Sequence, residues 1–308
     1  CCPHHQGLVM GLTVPKERQD LSADALVGLL RNTVAPVADP CSADAGMPLT
    51  DALMAGVAML SLPCPSLLDF DTRRAEGTLH TSSGIACAPC DSYLREMLDP
   101  VSPEALRPAF HAVLRHLQRG KALEDMVFFQ DGSLVALDGT GYVSSKTMHG
   151  SSCLPTRHRD ASITSAPQMV GGALMHPERR AVMPRMPEAI LPQDGRKQHA
   201  WERHAATRFL AKWRHDPPHL TGMVTDEGLS AHAPPLDTLH EYGCHSSLGG
   251  KAGEQASLCA QVQAAAAAGG GTSYARHDRA AGLVPRGRCV HAMPLNDARA
   301  DVRVNLLA

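Results

Sequence analysis

The chain has 308 residues, enough for a sizeable core in one large domain or two to three modest ones. Hydrophobic residues make up 44 %, a globular rather than a disordered composition, and no apolar run reaches the eighteen or so residues that span a bilayer. A formal net charge of −2 withholds the global basic excess of a typical nucleic-acid binder, leaving only local patches such as "LPTRHRD" (154–160) and "HPERRAVMPR" (176–185).

Taken in chain order, residues 1–46 read as irregular except for "LSADALVGLLRN" (21–32), whose apolar spacing predicts a helix. The opening residues carry neither the charged start nor the apolar stretch of a secretory leader, so the expected location is cytoplasmic. There is no initiating Met, which points to a missing or processed start. Residues 47–63 predict a second helix, with Thr50 as N-cap and Leu53, Val57, Leu60 and Leu62 on its apolar face. "SPEALRPAFHAVLRHLQRGKALEDM" (102–126) opens on a Ser-Pro-Glu start signal and repeats Leu106, Phe110, Val113, Leu114 and Leu117 at helical spacing. Residues 47–126 therefore read as a helical region.

The character changes at 127. "VFFQDGSLVALDGTGYV" sets Asp-Gly and Gly-Thr-Gly turn signals between apolar runs, which predicts a hairpin or meander with Asp138 delivered at a strand end. "QMVGGALMHPERRAVMP" (168–184) predicts a strand, a His-Pro turn and another strand. "WERHAATRFLAKWRHD" (201–216) predicts a helix with Trp201, Ala205, Phe209 and Trp213 on one face. Residues 219–243 follow as a strand, an acidic turn bearing Asp226 and Glu227, and a helix. The order strand, strand, strand, helix, strand, helix over 127–243 is that of an α/β layered core. Beyond 244, an Ala-rich helix stops at the Gly run 269–271, and one or two strands complete the chain.

Ten cysteines are scattered, and "CAPC" (Cys87, Cys90) has zinc-knuckle spacing without the second pair that a structural zinc needs. Incidental thiols are the expectation. Carboxylates at neighbouring strand ends are a different matter, because a pair of divalent ions in phosphoryl transfer requires acids held by rigid elements. Asp138 and the Asp226-Glu227 pair, 88 residues on, are the candidates.

With these residues in view, "MPLTDALMAGVAMLSLPCPSLLDFD" (47–71), "APCDSYLREMLDPVSPEALRPAFHAVLRHLQRGKALE" (88–124), "LVALDGTGYVSSKTMH" (134–149), "HPERRAVMPRMPEAILPQDG" (176–195), "ERHAATRFLAKWRHDPPHL" (202–220), "VTDEGLSAHAPP" (224–235) and "PLNDARADVRVN" (294–305) resemble, in collinear order, bacterial insertion-sequence transposases of the DDE type. The resemblance implies an α/β ribonuclease-H-like mixed-sheet core over 127–243. A helical DNA-contacting region over 47–126 would precede it, and an incomplete β-rich insertion over 244–308 would follow. It implies binding of double-stranded transposon-end DNA, a homodimer in a synaptic complex, nucleoid association when DNA is bound, no membrane partner, and two Mg²⁺ ions held by three acids that cut and join strands. Asp138 falls on the first acid. In the second block the usual Glu-Asp order is inverted, so that Glu227 takes the metal-binding position and Asp226 its neighbour's. The third acid would lie beyond Ala308. The expectation is a transposase by descent with impaired catalysis, the alternative being a fragment that only binds transposon ends and interferes with an intact enzyme.

Overall fold

A computed structural model describes residues 21–39, 46–61, 67–76, 85, 88–141, 143–147, 153–194, 198–216, 220–226, 233–249, 256–275, 286–294 and 303–307. The chain divides into two compact units, Cys1–Val127 and Phe128–Ala308.

The first unit is helical: α1 (Ala23–Val34), α2 (Leu49–Ser61), α3 (Leu67–Ala75), α4 (Asp91–Leu98) and α5 (Arg107–Arg119). Ser22 caps α1 by accepting the Ala25 N–H. The N-terminus of α2 is satisfied differently from the expected local cap. Thr50 lies inside the helix, and the Leu49 N–H is donated to the Asp39 carboxylate at 3.0 Å, a partner ten residues upstream. The buried face of α2 is also not the predicted one. Leu53 is buried, but Leu60 is 82 % exposed, and Ala52, Ala55 and Ala58 fill the contact with Met54 and Leu49. Small side chains let neighbouring helices approach closely, so the alanines rather than the bulkiest leucines select the face. Arg31 reaches from α1 to the buried Asp51 carboxylate at 2.7 Å, pinning α1 to α2. The long helix read over 102–126 is broken. Residues Pro103–Leu106 form a 3-10 turn before α5, because Pro108 has no N–H to bond back to Glu104 and its ring crowds that carbonyl. The core joins Leu49, Met54, Phe70, Ile85, Leu94 and Met97 with Val34 of α1.

The second unit holds an α/β mixed sheet. Its strands are β1 (Val127–Phe129), β2 (Gly132–Gly141), β3 (Cys153–Arg157), β4 (Ile163–Met175), β5 (Met183–Pro184), β6 (Glu188–Ala189), β7 (Gly222–Asp226) and β8 (His245–Leu248). The main order is β3-β4-β2-β7-β8, with β5 and β6 on β4 and β1 on β2. The β2–β4 pairing is antiparallel, from Leu134 opposite Met175 to Gly141 opposite Gln168. The β2–β7 and β7–β8 pairings are parallel, joined through α6 (Gln198–His215) and α7 (Ala233–Glu241). Parallel neighbours need such crossovers, which is why helices separate these strands in the sequence. The strand β8 extends the main sheet beyond residue 243. Farther on, α8 (Ala256–Ala267) ends at Gly269 and Gly271, both at positive φ, and β9 (Thr272–Ala275), β10 (Arg286–Pro294) and β11 (Arg303–Leu307) form a separate antiparallel sheet.

Two turn signals resolve differently from their sequence reading. The β1–β2 hairpin turns on Gln130 and Asp131, both at positive φ, as a two-residue type I′ loop requires; Gly132 already belongs to β2. The Gly-Thr-Gly segment is strand, not turn, since Gly139, Thr140 and Gly141 pair with Val170, Met169 and Gln168. The glycines serve close approach instead. A Cβ on Gly139 would sit 3.1 Å from the Glu202 carboxylate oxygen, one on Gly172 would sit 2.1 Å from Phe209, and one on Gly222 would sit 3.2 Å from Trp213. Glu202, Phe209 and Trp213 recur at helical spacing on α6, so this helix lies directly on the sheet. Val135, Leu137, Val170, Leu174 and Val224 are buried on that side, while Leu134, Ala136, Met169, Ala173 and Met223 on the other are partly exposed.

Replacing Gly172 with Val forces the Phe209 ring out of its seat. The expected loss is about 2–3 kcal/mol of unfolding free energy, the upper part of the range for overpacked cores, read by urea denaturation. Gly171→Val, on the opposite face, is expected to cost markedly less, since its nearest contact is the Asp138 carbonyl at 3.9 Å.

Candidate functional site

The alternating run Ser133-Leu134-Val135-Ala136-Leu137 fixes β2 as a central strand, buried at Ser133, Val135 and Leu137. Asp138 is the first exposed residue of that strand. It sits one residue past the end of the β2–β7 ladder, whose last pair is Leu137 with Asp226, and its β4 partner is Gly171. Having no side chain, Gly171 leaves the space beside the Asp138 carboxylate clear.

Asp226 ends β7 and is 5 % exposed. Its carbonyl accepts the Gly249 N–H at 2.8 Å, closing the β7–β8 ladder. In-register residues of adjacent strands point to the same face, so Asp226 shares the α6 face with Leu137, and Asp138 points to the other. The two acids thus reach the same level on neighbouring strands and diverge. Ligand oxygens about 2.0–2.1 Å from one Mg²⁺ require convergence. Glu227 lies outside the described residues. Among the described residues no group of three His, Cys, Asp or Glu side chains is placed to hold a metal ion. At this end of the β2–β7 ladder the described strand residues place one exposed carboxylate, Asp138, which does not by itself fit a two-ion site.

Sequence reasoning passed over Glu202. Its carboxylate lies over Gly139, on the α6 face that also receives Asp226. Its signal was the helical register with Phe209 and Trp213, legible only once a glycine in the sheet is known to face it. Cys90 is exposed at the N-terminus of α4 and makes no side-chain capping bond; Cys87 lies outside the described residues.

A charged cluster locks α6 to the β6 edge. Arg208 donates to Glu188 at 2.9 Å and, through both terminal nitrogens, to Asp194; Lys212 donates to Glu188 at 2.7 Å. The Nδ1–H of His204 donates to the Asp194 carbonyl. Burial alone raises the Asp194 carboxyl, but the Arg208 hydrogen bonds, the Leu191 N–H and the Arg208 and His204 charges outweigh it and hold it below the ordinary carboxylate value. Glu188 and Asp194 fall in the block 176–195, and Arg208 and Lys212 in 202–220, so these two stretches are bound together by ion pairing.

No protein family, curated protein or solved structure matches the chain.

A carboxyl held below its unfolded value contributes stability above that unfolded value, near 3.9, and loses it as pH falls through the native value. Asp194→Asn is expected to lower unfolding free energy by about 1.5–3 kcal/mol at pH 7, the range for hydrogen bonds to a charged group. The gap to the unsubstituted protein should close as chemical denaturation is repeated from pH 5 down to pH 2.

Proposed function

We propose that the chain is a transposase-related protein of the DDE type, with a ribonuclease-H-like core, that engages double-stranded transposon-end DNA and is impaired in strand cleavage and transfer. The observation that carries the reading is the position of Asp138: exposed, on the central strand of a mixed sheet, at the limit of a parallel ladder. An antiparallel pair followed by two parallel strands across helical crossovers is the framework that brings acids from distant sequence to one sheet end. The helical unit, which bears the blocks 47–71 and 88–124, is assigned the DNA contacts.

In this reading Asp138 and Glu227 are the metal-contacting pair. Adjacent strand residues point to opposite faces, so Asp226, which shares the α6 face with Leu137, does not stand in for Glu227 on the Asp138 side. Mg²⁺, when bound, would neutralise developing charge on a phosphoryl group. A Glu in place of an Asp displaces its carboxylate by one methylene, and misplacement of about 1 Å costs on the order of a hundredfold in rate. The divergence of Asp138 and Asp226 favours the end-binding alternative, a protein that occupies transposon ends and obstructs an intact enzyme.

The test is incubation of the purified chain with an element-end duplex and Mg²⁺ or Mn²⁺, resolved on a denaturing gel. Strand transfer is expected to be absent, and any residual nicking should vanish in Asp138→Asn while duplex binding persists. Efficient 3′-end joining would overturn the impairment, and nicking unaffected by Asp138→Asn would overturn the site.

A further inference from the structure

The strand β4 is longer than its partner β2 needs. Residues 168–175 pair with β2, but 163–167 run on past the sheet body and pair with β3 instead. The other edge of this extension is taken by residues 143–147, through reciprocal Ser145 and Ser165 backbone bonds of 3.0 and 2.8 Å. The result is a β3–β4 hairpin arm, bridged at Ser145, that extends from the end of the sheet carrying Asp138.

Its tip is built to hold its shape. The Ala161 N–H donates to the His158 carbonyl and the His158 N–H to the Ser162 carbonyl, with Ala161 at φ +64°, a type I turn followed by a left-handed residue. The Asp160 carboxylate accepts both the Ser162 N–H at 3.1 Å and the Ser162 hydroxyl at 2.6 Å, and these bonds hold its carboxyl below the ordinary value. His158 meets the Thr164 hydroxyl across the hairpin at 2.8 Å.

The arm carries three permanent cations, Lys146, Arg157 and Arg159, against the one carboxylate, Asp160. All three cations are exposed, and among the described residues none pairs with an acid, whereas Arg31, Arg73, Arg107 and Arg208 each rest on one. A segment of net +2 thus stands on a chain of net −2. Those four arginines are held against carboxylates; here the charge faces outward from a hairpin.

We propose that this arm is a backbone clamp for duplex DNA, its three cations contacting phosphates on the duplex whose scissile end lies at Asp138. The proposal rests on the function given above and names the surface that holds the substrate. From Gly171, opposite Asp138, to Ile163 at the tip is eight residues of strand, on the order of 27 Å at about 3.4 Å per residue. At about 3.4 Å per nucleotide along one strand, the tip of the clamp acts about eight base pairs from the reacting phosphate, with Lys146 closer in. Contacts of this kind position the duplex without reading its sequence.

The test measures binding of the full chain to a fluorescein-labelled 40-base-pair duplex by anisotropy, across a series of salt concentrations. The triple variant K146A/R157A/R159A is expected to flatten the slope of log affinity against log salt by about 2 to 3, since each released phosphate contact contributes about 0.9. The triple variant K146R/R157K/R159K should keep the original slope, which separates charge from any effect on folding. An unchanged slope in the alanine variant overturns the clamp while leaving duplex binding intact. Absence of duplex binding by the unsubstituted chain overturns both the clamp and the function it rests on. Equal loss of affinity for polyglutamate overturns the assignment to DNA.

Discussion

The close seating of α6 on the sheet is the constraint from which the second unit follows. Glu202, Phe209 and Trp213 descend along one side of the helix, and each meets a strand residue without a side chain, Gly139, Gly172 or Gly222. A Cβ at Gly172 would collide with the Phe209 ring, and one at Gly139 or Gly222 would press on Glu202 or Trp213. The contact decides which face of β2, β4 and β7 is sealed, and with it the face to which every strand residue belongs. The ion pairs from Arg208 and Lys212 to Glu188 and Asp194 then hold the helix along its length against the β6 edge.

That choice of face governs the acids. Asp226 is drawn under α6 by the same alternation that buries Val224, while Asp138 is turned to the other side, where its neighbour Gly171 leaves it open. One register therefore both exposes the first candidate acid and removes the nearest second one from its reach. The long β4 strand carries the same register outward into the arm, so the charged hairpin and Asp138 share one end of the sheet. The cations named divide into those resting on carboxylates, such as Arg31 and Arg208, and the solvent-facing ones of the arm.

The helical unit shows a parallel division between local pattern and tertiary choice. The helices α1, α2 and α5 were legible in the sequence, but the contact face of α2 was not. A helix apolar on nearly every side offers no single stripe, so packing selects Ala52, Ala55 and Ala58 and leaves Leu60 in solvent. The cap of α2 likewise comes from Asp39, which no local motif announces.

By itself the sequence determined the existence and kind of several elements: helical segments within 21–32, 102–126 and 201–216, and strands within 127–143, 168–184 and 219–243. Those follow from local hydrophobic period, capping residues and proline, which act within a few residues. It also singled out Asp138, because an apolar alternation ending in an acid is a local pattern. Tertiary structure alone decided what the Gly-Thr-Gly segment does, since a glycine in a turn and a glycine under a helix look alike until the helix is placed. It alone decided that Asp138 and Asp226 point apart, that Glu202 lies over the sheet, and that β4 outruns β2 to raise a charged arm. Each depends on which strand pairs with which and in what register, and partners 30 to 90 residues apart leave no trace in a local period.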